Sequence, residues 1–187
     1  MKPAPFEYCR PDTLEEALSL LSEFGDDALV MAGGLSLGAL LNMRMVRPEI
    51  IVDINELEVL AQIERIENKF RIGALARQAD VLVSADCAAA LPLLIAGLHN
   101  VGHYQTRSRG TLGGSVAHAD PSAETPLCLV TLAGEVELSS VRGVRRMAAS
   151  EFFEGALTTA RERDEMVTAL YWPVLGDGAG IAFEEIN

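Results

Sequence analysis

Residues 28–36 have the sequence Ala-Leu-Val-Met-Ala-Gly-Gly-Leu-Ser, a short apolar run that leads into two adjacent glycines. The run predicts a buried strand over residues 28–31, and a helix is predicted to follow at roughly 37–44. Adjacent glycines let the backbone take positive φ and bring its N–H groups close to a ligand. Successive N–H groups in such a turn form a concave anion site. The stretch therefore predicts a strand–loop–helix unit with an anion site in its loop.

A second double glycine lies in the stretch Thr111-Leu112-Gly113-Gly114-Ser115. It belongs to a longer stretch, residues 103–121, that shows little periodicity. A structureless segment of this length in a compact domain usually has a binding role. Two such loops suggest a ligand with two phosphates that is held from two sides, although a single Gly-Gly pair is usually only a turn.

The elements around the first loop predict a small lobe. Residues 12–24 are predicted to form a helix, because Thr13 and Glu16 have capping-box spacing and Gly25 follows the apolar stripe. Residues 50–54 are predicted to form a strand. The order helix–strand–loop–helix–strand indicates a small parallel βαβ lobe.

The rest of the chain mixes strands and helices without regular βαβ alternation, which favours an α+β fold over a doubly wound one. A hairpin is predicted over 61–66 and 69–74, and a short helix near 150–155. The remaining helices are expected at 77–84, 87–101 and 122–133, and the remaining strands at 136–139, 145–148 and 166–172. Residues 181–187 predict the beginning of a new strand, whose partner we expect in a continuation of the chain or in another subunit.

Composition excludes several classes of protein. The chain has 187 residues and a formal net charge of −12, which argues against binding to nucleic acid or to an anionic membrane surface. The three cysteines form no C-x-x-C pair or Cys/His cluster, so neither a zinc site nor an iron–sulfur cluster is expected. An odd number of cysteines without a recognisable signal peptide fits a reducing cytoplasm. No stretch reaches the length of a membrane span.

Each charged residue near the loops allows two interpretations of its role. Four arginines lie within about a dozen positions of the loops in sequence: Arg44, Arg47, Arg107 and Arg109. They are either phosphate partners or ordinary surface residues. His118 either orients a ligand or is a hydrogen-bonded loop residue. Asp120 and Glu124 are either acids favoured at a helix N-terminus or acceptors for the hydroxyl groups of a ribityl or ribose chain. The loops match neither G-x-G-x-x-G nor a P-loop.

The ordered motifs resemble those of a known family. They are Ala32-Gly33-Gly34-x-Ser36, Asp53-Ile54, Ile72-Gly73-Ala74, Arg107-x-Arg109-Gly110-Thr111-Leu112-Gly113-Gly114-Ser115 and Asp120-Pro121. Together they resemble the FAD-binding medium subunit of the molybdenum hydroxylases, such as carbon monoxide dehydrogenase and xanthine dehydrogenase. The resemblance implies a two-lobed FAD-binding fold with a small lobe at 1–56, a larger α+β lobe at 57–177 and the start of a C-terminal segment at 178–187.

The same resemblance implies which residues hold FAD. Residues 32–36 and 111–115 would contact the pyrophosphate, and Gly73 and Ala74 would border the flavin or the adenosine. Ile181 or Phe183 would approach the isoalloxazine ring. The implied cofactor-binding set is Ala32, Gly33, Gly34, Leu35, Ser36, Gly73, Ala74, Thr111, Gly113, Gly114, Ser115, His118, Asp120, Glu124 and Phe183. No catalytic residue and no metal ligand is expected.

This chain departs from the family pattern at three points. Leu35 stands where relatives often have a polar residue, and Ser115 replaces a frequent asparagine. Relatives also continue into a further C-terminal domain.

The implied function is electron transfer. A large molybdenum-cofactor subunit and a small iron–sulfur subunit are the expected partners, and FAD on this chain would pass electrons to NAD, a quinone, oxygen or a carrier protein. We expect a heteromeric cytoplasmic oxidoreductase whose substrate pocket belongs to another chain. The alternatives are a cofactor-free structural or assembly subunit and a stand-alone flavoprotein reductase.

Overall fold

The fold contains a small parallel sheet near the start of the chain. The computed structural model describes residues 2–176 and 178–186. Three parallel strands, β1 (Glu7–Cys9), β2 (Ala28–Met31) and β3 (Ile50–Asp53), pair in the order β1-β3-β2. The helices α1 (Leu14–Phe24) and α2 (Leu35–Asn42) connect them. The predicted βαβ lobe is therefore confirmed, with β1 as an additional strand.

Helix α1 begins and ends where the sequence predicts. The Thr13 hydroxyl accepts a hydrogen bond from the Glu16 N–H at 3.2 Å, which satisfies a donor left free at the helix N-terminus. Gly25 follows the last turn with a φ of +53°. Ala17, Leu18 and Leu21 are buried on one face of the helix and pack in a core that also contains Met166. This core therefore joins the small sheet to a later strand of the chain.

A larger antiparallel sheet forms the second half of the fold. Its order is β4-β5-β10-β6-β7. The strands are β4 (Ile63–Ile66), β5 (Lys69–Gly73), β6 (Glu135–Ser140), β7 (Gly143–Ala148) and β10 (Met166–Pro173). A two-stranded ribbon pairs β8 (Phe153–Gly155) with β9 (Thr158–Thr159). The predicted hairpin and the three predicted later strands are confirmed.

Helices and the larger sheet enclose the main core. The helices are α3 (Gln78–Val83), α4 (Ala85–Ala90), α5 (Pro92–Asn100), α6 (Tyr104–Arg109), α7 (Leu112–His118), α8 (Glu124–Thr131) and α9 (Ala149–Phe152). The core includes Phe70, Phe152 and Trp172, each at most 2% exposed. The α+β fold class is confirmed.

Two local predictions are wrong. The segment 103–121 contains α6 and α7 rather than an open loop, because helices of six and seven residues are too short to show helical periodicity. The predicted helix 87–101 is two helices that meet at Pro92, since proline lacks the N–H that would continue the first one. Residues 181–186 pair with no strand in the described chain, so the strand expected there, whose partner would lie in a continuation of the chain or in another subunit, stays a prediction. Phe183 packs against the main core.

Some predictions fall partly outside the described residues. Met1, Asp177 and Asn187 lie there, and they include the predicted end of the larger lobe and of the C-terminal segment. Among the described residues, no helix has the length and apolar character that crossing a membrane requires.

Candidate cofactor-binding site

Both double-glycine loops line one cleft of about 380 Å³. The cleft lies where the small parallel lobe meets the larger sheet. Residues 32–37 line it from the first loop, and Thr111, Gly113, Gly114 and Ser115 line it from the second. The two loops, which lie far apart in sequence, thus face one site.

The first loop presents a row of free N–H groups. Gly34 caps α2 with a φ of +76°, and its carbonyl accepts from the Gly38 N–H at 2.8 Å. Within the described chain, the N–H groups of the five residues 33–37 have no hydrogen-bond acceptor. Unpaired N–H groups at a helix N-terminus attract an anion, because the helix dipole adds to their own partial charges. This loop therefore has the properties of an anion site.

The second loop is built differently. The Leu112 N–H donates to the Ala76 carbonyl at 3.1 Å, and the Gly113 N–H donates to the Ala74 carbonyl at 3.0 Å. The Thr111 hydroxyl accepts a hydrogen bond from the Gly114 N–H at 3.0 Å. The backbone donors at the start of α7 are thus already used inside the protein. The second loop therefore differs from the first, whose N–H groups are free within the described chain.

Two of the glycines are required by packing within the protein. A Cβ on Gly33 would collide with the Arg109 carbonyl, and a Cβ on Gly113 would collide with Ala74. Glycine at these positions therefore lets one backbone segment lie directly against another. Through this contact the first loop packs against Arg109 and Gly110, which come directly before the second loop.

Most of the residues expected to hold a cofactor do line the cleft. They are Ala32, Gly33, Gly34, Leu35, Ser36, Ala74, Thr111, Gly113, Gly114, Ser115 and His118. Gly73 is next to Ala74 but packs against the Leu60 carbonyl. Asp120, Glu124 and Phe183 also lie outside the lining of this cleft.

The side chains of Asp120 and Glu124 have different surroundings. Asp120 accepts hydrogen bonds from the Ser122 N–H at 2.9 Å and from the Ser122 hydroxyl at 2.7 Å, and these bonds lower the pKa of Asp120. Burial raises the pKa of Glu124, and the nearby carboxylates of Glu185 and Asp120 raise it further. Asp120 therefore stabilises its own turn.

The four arginines near the loops in sequence do not line the cleft. Arg107, for example, donates to the Val101 carbonyl at 2.8 Å and to the Gly102 carbonyl at 3.1 Å. Arg161 does line the cleft, and it is the only arginine among the described lining residues. Its guanidinium donates to the Glu165 carbonyl at 2.8 Å, and burial lowers its pKa. Neutral backbone donors therefore supply most of the positive potential in this site.

Sequence reasoning missed several residues of the cleft. Gln78 is 4% exposed, and its Oε1 has no hydrogen-bond partner among the described residues. Apolar side chains from α1, β2 and α2 line another part of the cleft: Leu21, Leu29, Val30, Leu37 and Leu40. No short motif marks these residues, because tertiary packing brings them together.

A half-buried polar relay lies behind the two loops. The Asn55 Nδ2 donates to the Ala32 carbonyl at 2.7 Å, and its Oδ1 accepts from Arg77 Nη2 at 2.6 Å. Arg77 Nη1 donates to the Arg109 carbonyl at 2.6 Å. The relay thus links Ala32 of the first loop to Arg109, which lies shortly before the second loop.

These features define a class of protein: an α+β domain with a cleft that combines an anion site with an apolar wall, which suits a nucleotide cofactor. The comparison with known families is specific. The chain belongs to the family described as the FAD binding domain in molybdopterin dehydrogenase, whose pattern matches residues 4–175.

Curated relatives share the whole length of this chain. It is 40% identical over 187 residues to the 6-hydroxypseudooxynicotine dehydrogenase complex subunit alpha of Paenarthrobacter nicotinovorans. It is 39% identical over 187 residues to the caffeine dehydrogenase subunit beta of a Pseudomonas strain. In both cases the alignment covers 100% of this chain and 63% of the relative. The chain therefore spans less than two thirds of these relatives.

A solved structure shows the same fold. Carbon monoxide dehydrogenase from Hydrogenophaga pseudoflava, in a form that lacks the Mo-pyranopterin moiety of the molybdenum cofactor, superposes with a TM-score of 0.97 at 34% identity. The match covers 100% of this chain and 65% of that one. The two-lobed fold expected from the sequence motifs is thus the fold of this dehydrogenase chain.

Proposed function

We propose that this chain binds FAD in the cleft between its two lobes, with the cofactor's pyrophosphate on the N–H groups of residues 33–37. The observation that carries the proposal is the row of unpaired N–H groups at the start of α2, which faces the cleft. A phosphate there would satisfy donors that the protein leaves free and would benefit from the helix dipole. This arrangement also explains how a chain with a net charge of −12 can hold an anionic cofactor.

The proposed contacts follow the lining of the cleft. Leu35 and Ser36 belong to the amide row and Ala32 precedes it, while Thr111 and Ser115 line the cleft from the second loop. The apolar side chains of α1, β2 and α2 suit an aromatic ring system. We restrict the proposed contacts to residues that line this cleft, so Gly73, Asp120, Glu124 and Phe183 are not among them.

We further propose that the chain is the electron-transferring part of a dehydrogenase complex. Bound flavin supplies the redox chemistry, and the protein holds and orients it. Relatives are named as subunits of dehydrogenases, among them the medium chain of carbon monoxide dehydrogenase from Afipia carboxidovorans. The proposed partners are a molybdenum-cofactor subunit and an iron–sulfur subunit. The division into lobes at 1–56 and 57–177, followed by a segment at 178–187, is part of the same proposal.

A charge placed in the amide row tests the proposal. Ser36 is exposed in the first turn of α2 and lines the cleft. The variant Ser36→Asp should keep or improve the stability of α2, because an acid is favourable at a helix N-terminus. It should nevertheless repel a phosphate and weaken FAD binding by about 100-fold or more, equivalent to roughly 2.7 kcal/mol. Equilibrium titration with FAD, followed by flavin fluorescence, measures the effect.

The control is Asn42→Asp, which adds the same charge at the other end of the same helix. Asn42 is exposed and does not line the cleft, so this variant should bind FAD like the parent. Equal weakening by both variants would mean that overall charge, rather than the amide row, decides binding. A parent chain that binds no FAD would contradict the proposed function itself.

A further inference from the structure

The two loops that face the cleft are not joined by any direct hydrogen bond in the described chain. They touch where Gly33 lies against the Arg109 carbonyl. Backbone hydrogen bonds hold the second loop to residues 74–78, among them Leu112 N–H to the Ala76 carbonyl at 3.1 Å and Gly113 N–H to the Ala74 carbonyl at 3.0 Å. The relay of Asn55 and Arg77 adds a hydrogen-bonded link from this side of the cleft to the first loop.

Asn55 is held in one orientation. Its backbone N–H and its Nδ2 both donate to Asp53 Oδ1, at 2.9 and 2.6 Å. Asp53 Oδ2 in turn accepts from the Tyr8 hydroxyl at 2.5 Å. With Nδ2 committed to Asp53 and to Ala32, only the Asn55 Oδ1 is left to face Arg77. The amide thus presents an acceptor to Arg77 and a donor to the first loop at the same time.

Arg77 connects this fixed amide to the other side of the cleft. One Nη atom binds Asn55 Oδ1 and the other binds the Arg109 carbonyl, each at 2.6 Å. Arg77 forms no ion pair in the described parts of the chain. Burial lowers its pKa, and the charge of Arg109 lowers it further. The carboxylates of Asp80 and Asp53 act on this pKa in the opposite direction. The hydrogen-bond partners of the guanidinium are neutral oxygens, so its orientation depends on the geometry of these bonds.

We propose that Arg77 and Asn55 form a clamp that fixes the spacing of the two glycine loops and thereby sets the affinity of the cleft for its cofactor. The proposal rests on the proposed FAD function, and it assigns Arg77 a positioning role. Arg77 does not line the cleft, so its effect reaches the cofactor through the Ala32 and Arg109 carbonyls. Preorganised loops bind more tightly because less ordering remains to be done on binding.

The test compares variants of the clamp in the whole chain. Arg77→Met keeps the length of the side chain and removes both hydrogen bonds, whereas Arg77→Lys retains a donor for one of them. We expect the FAD dissociation constant to rise about tenfold or more in Arg77→Met and less in Arg77→Lys. Asn55→Ala should weaken binding too, and combining it with Arg77→Met should add little, because both belong to one relay. Arg65→Met is the control, since it removes the same charge on β4, where Arg65 donates to the Glu67 carbonyl at 3.5 Å and neither residue lines the cleft.

A second readout needs no cofactor. In the ligand-free chain, hydrogen exchange should become faster at the paired N–H groups of Gly38 and Gly110, which flank the loops. Exchange in β6 and β10 should not change. Parent-like exchange at Gly38 and Gly110 in Arg77→Met would overturn the clamp, as would parent-like FAD affinity. If the parent binds no FAD, the proposed function fails, while the exchange data still decide whether the clamp holds the loops.

Discussion

At the scale of single residues, the glycines of the two loops serve separate purposes. Gly34 supplies the positive φ from which α2 begins. Gly33 and Gly113 have no side chain because another backbone segment occupies that space. The double-glycine motif was interpreted as a device for approaching a ligand. The structure shows that it also serves to bring protein segments together.

Two substitutions to alanine separate these effects. Gly33→Ala should push the first loop away from the Arg109 carbonyl, lowering the free energy of unfolding by about 1–3 kcal/mol, as overpacking does, and weakening FAD binding. Gly38→Ala lies in α2, just after the first loop, with nothing within 4 Å of the new Cβ. It should stabilise the protein by about 0.5–1 kcal/mol, because glycine is unfavourable within a helix. Chemical denaturation of both variants measures the difference, and a Gly33→Ala protein as stable as Gly38→Ala would contradict the packing described here.

Sequence motifs were a good guide to residues of the cleft that lie in the loops themselves. Ser36 and Ser115 could be named because they flank double glycines, and both line the cleft. Arg77 and Asn55 could not be named, because their partners are backbone carbonyls far away in sequence. The sequence left open whether the neighbouring arginines bind the phosphates or are ordinary surface residues. Arg107 donates hydrogen bonds to the carbonyls of Val101 and Gly102, directly after α5.

At the scale of elements, predictions succeeded where an element is long or bounded by clear signals. Helix α1 combines an apolar stripe with a cap at each end, so its limits were predicted closely. Helices α6 and α7 were missed, because helices of six and seven residues complete fewer than two turns each. The capping of α7 by Thr111 was visible in the sequence only as a hydroxyl residue before a glycine pair.

The larger sheet carries a buried carboxylate that makes its stability depend on pH. Glu137 of β6 accepts hydrogen bonds from Tyr171 at 2.8 Å and from Thr168 at 3.2 Å, and it pairs with Arg71 and Arg146 at 3.2 Å each. Burial by itself raises the pKa of Glu137. The hydrogen bonds and the charge of Arg71 outweigh that effect and hold the pKa below its ordinary value.

A lowered pKa in the folded state means that the ionised carboxylate stabilises the fold. Its contribution should be complete above the pKa of the unfolded chain, about 4.3, and should disappear as the pH falls through the lower folded value. We therefore expect the difference in unfolding free energy between the parent and Glu137→Gln to be constant above about pH 5 and to shrink below about pH 4. Denaturant titrations across this range measure it. A difference that stays constant down to pH 3, or that grows on acidification, would be inconsistent with a lowered pKa.

At the scale of the whole molecule, two sheets of different type meet at one cleft. The small parallel sheet brings the first glycine loop, and the larger antiparallel sheet with its helices brings the second. The α+β class could be predicted because strands and helices do not alternate regularly after the first lobe. The two-lobed fold could be predicted because the ordered motifs resemble those of a known family. The functional difference between the loops could not be predicted, since it depends on which N–H groups find acceptors after folding.

The central claim is that the N–H groups of residues 33–37 bind the pyrophosphate of FAD. Two-dimensional ¹⁵N–¹H NMR of the chain during titration with FAD tests it most directly. We predict saturable shifts that are largest for residues 33–37, with smaller changes at Leu112, Gly113 and Gly114, whose N–H groups already have acceptors. A spectrum that FAD leaves unchanged, or one in which residues 112–114 shift while residues 33–37 do not, would contradict the claim.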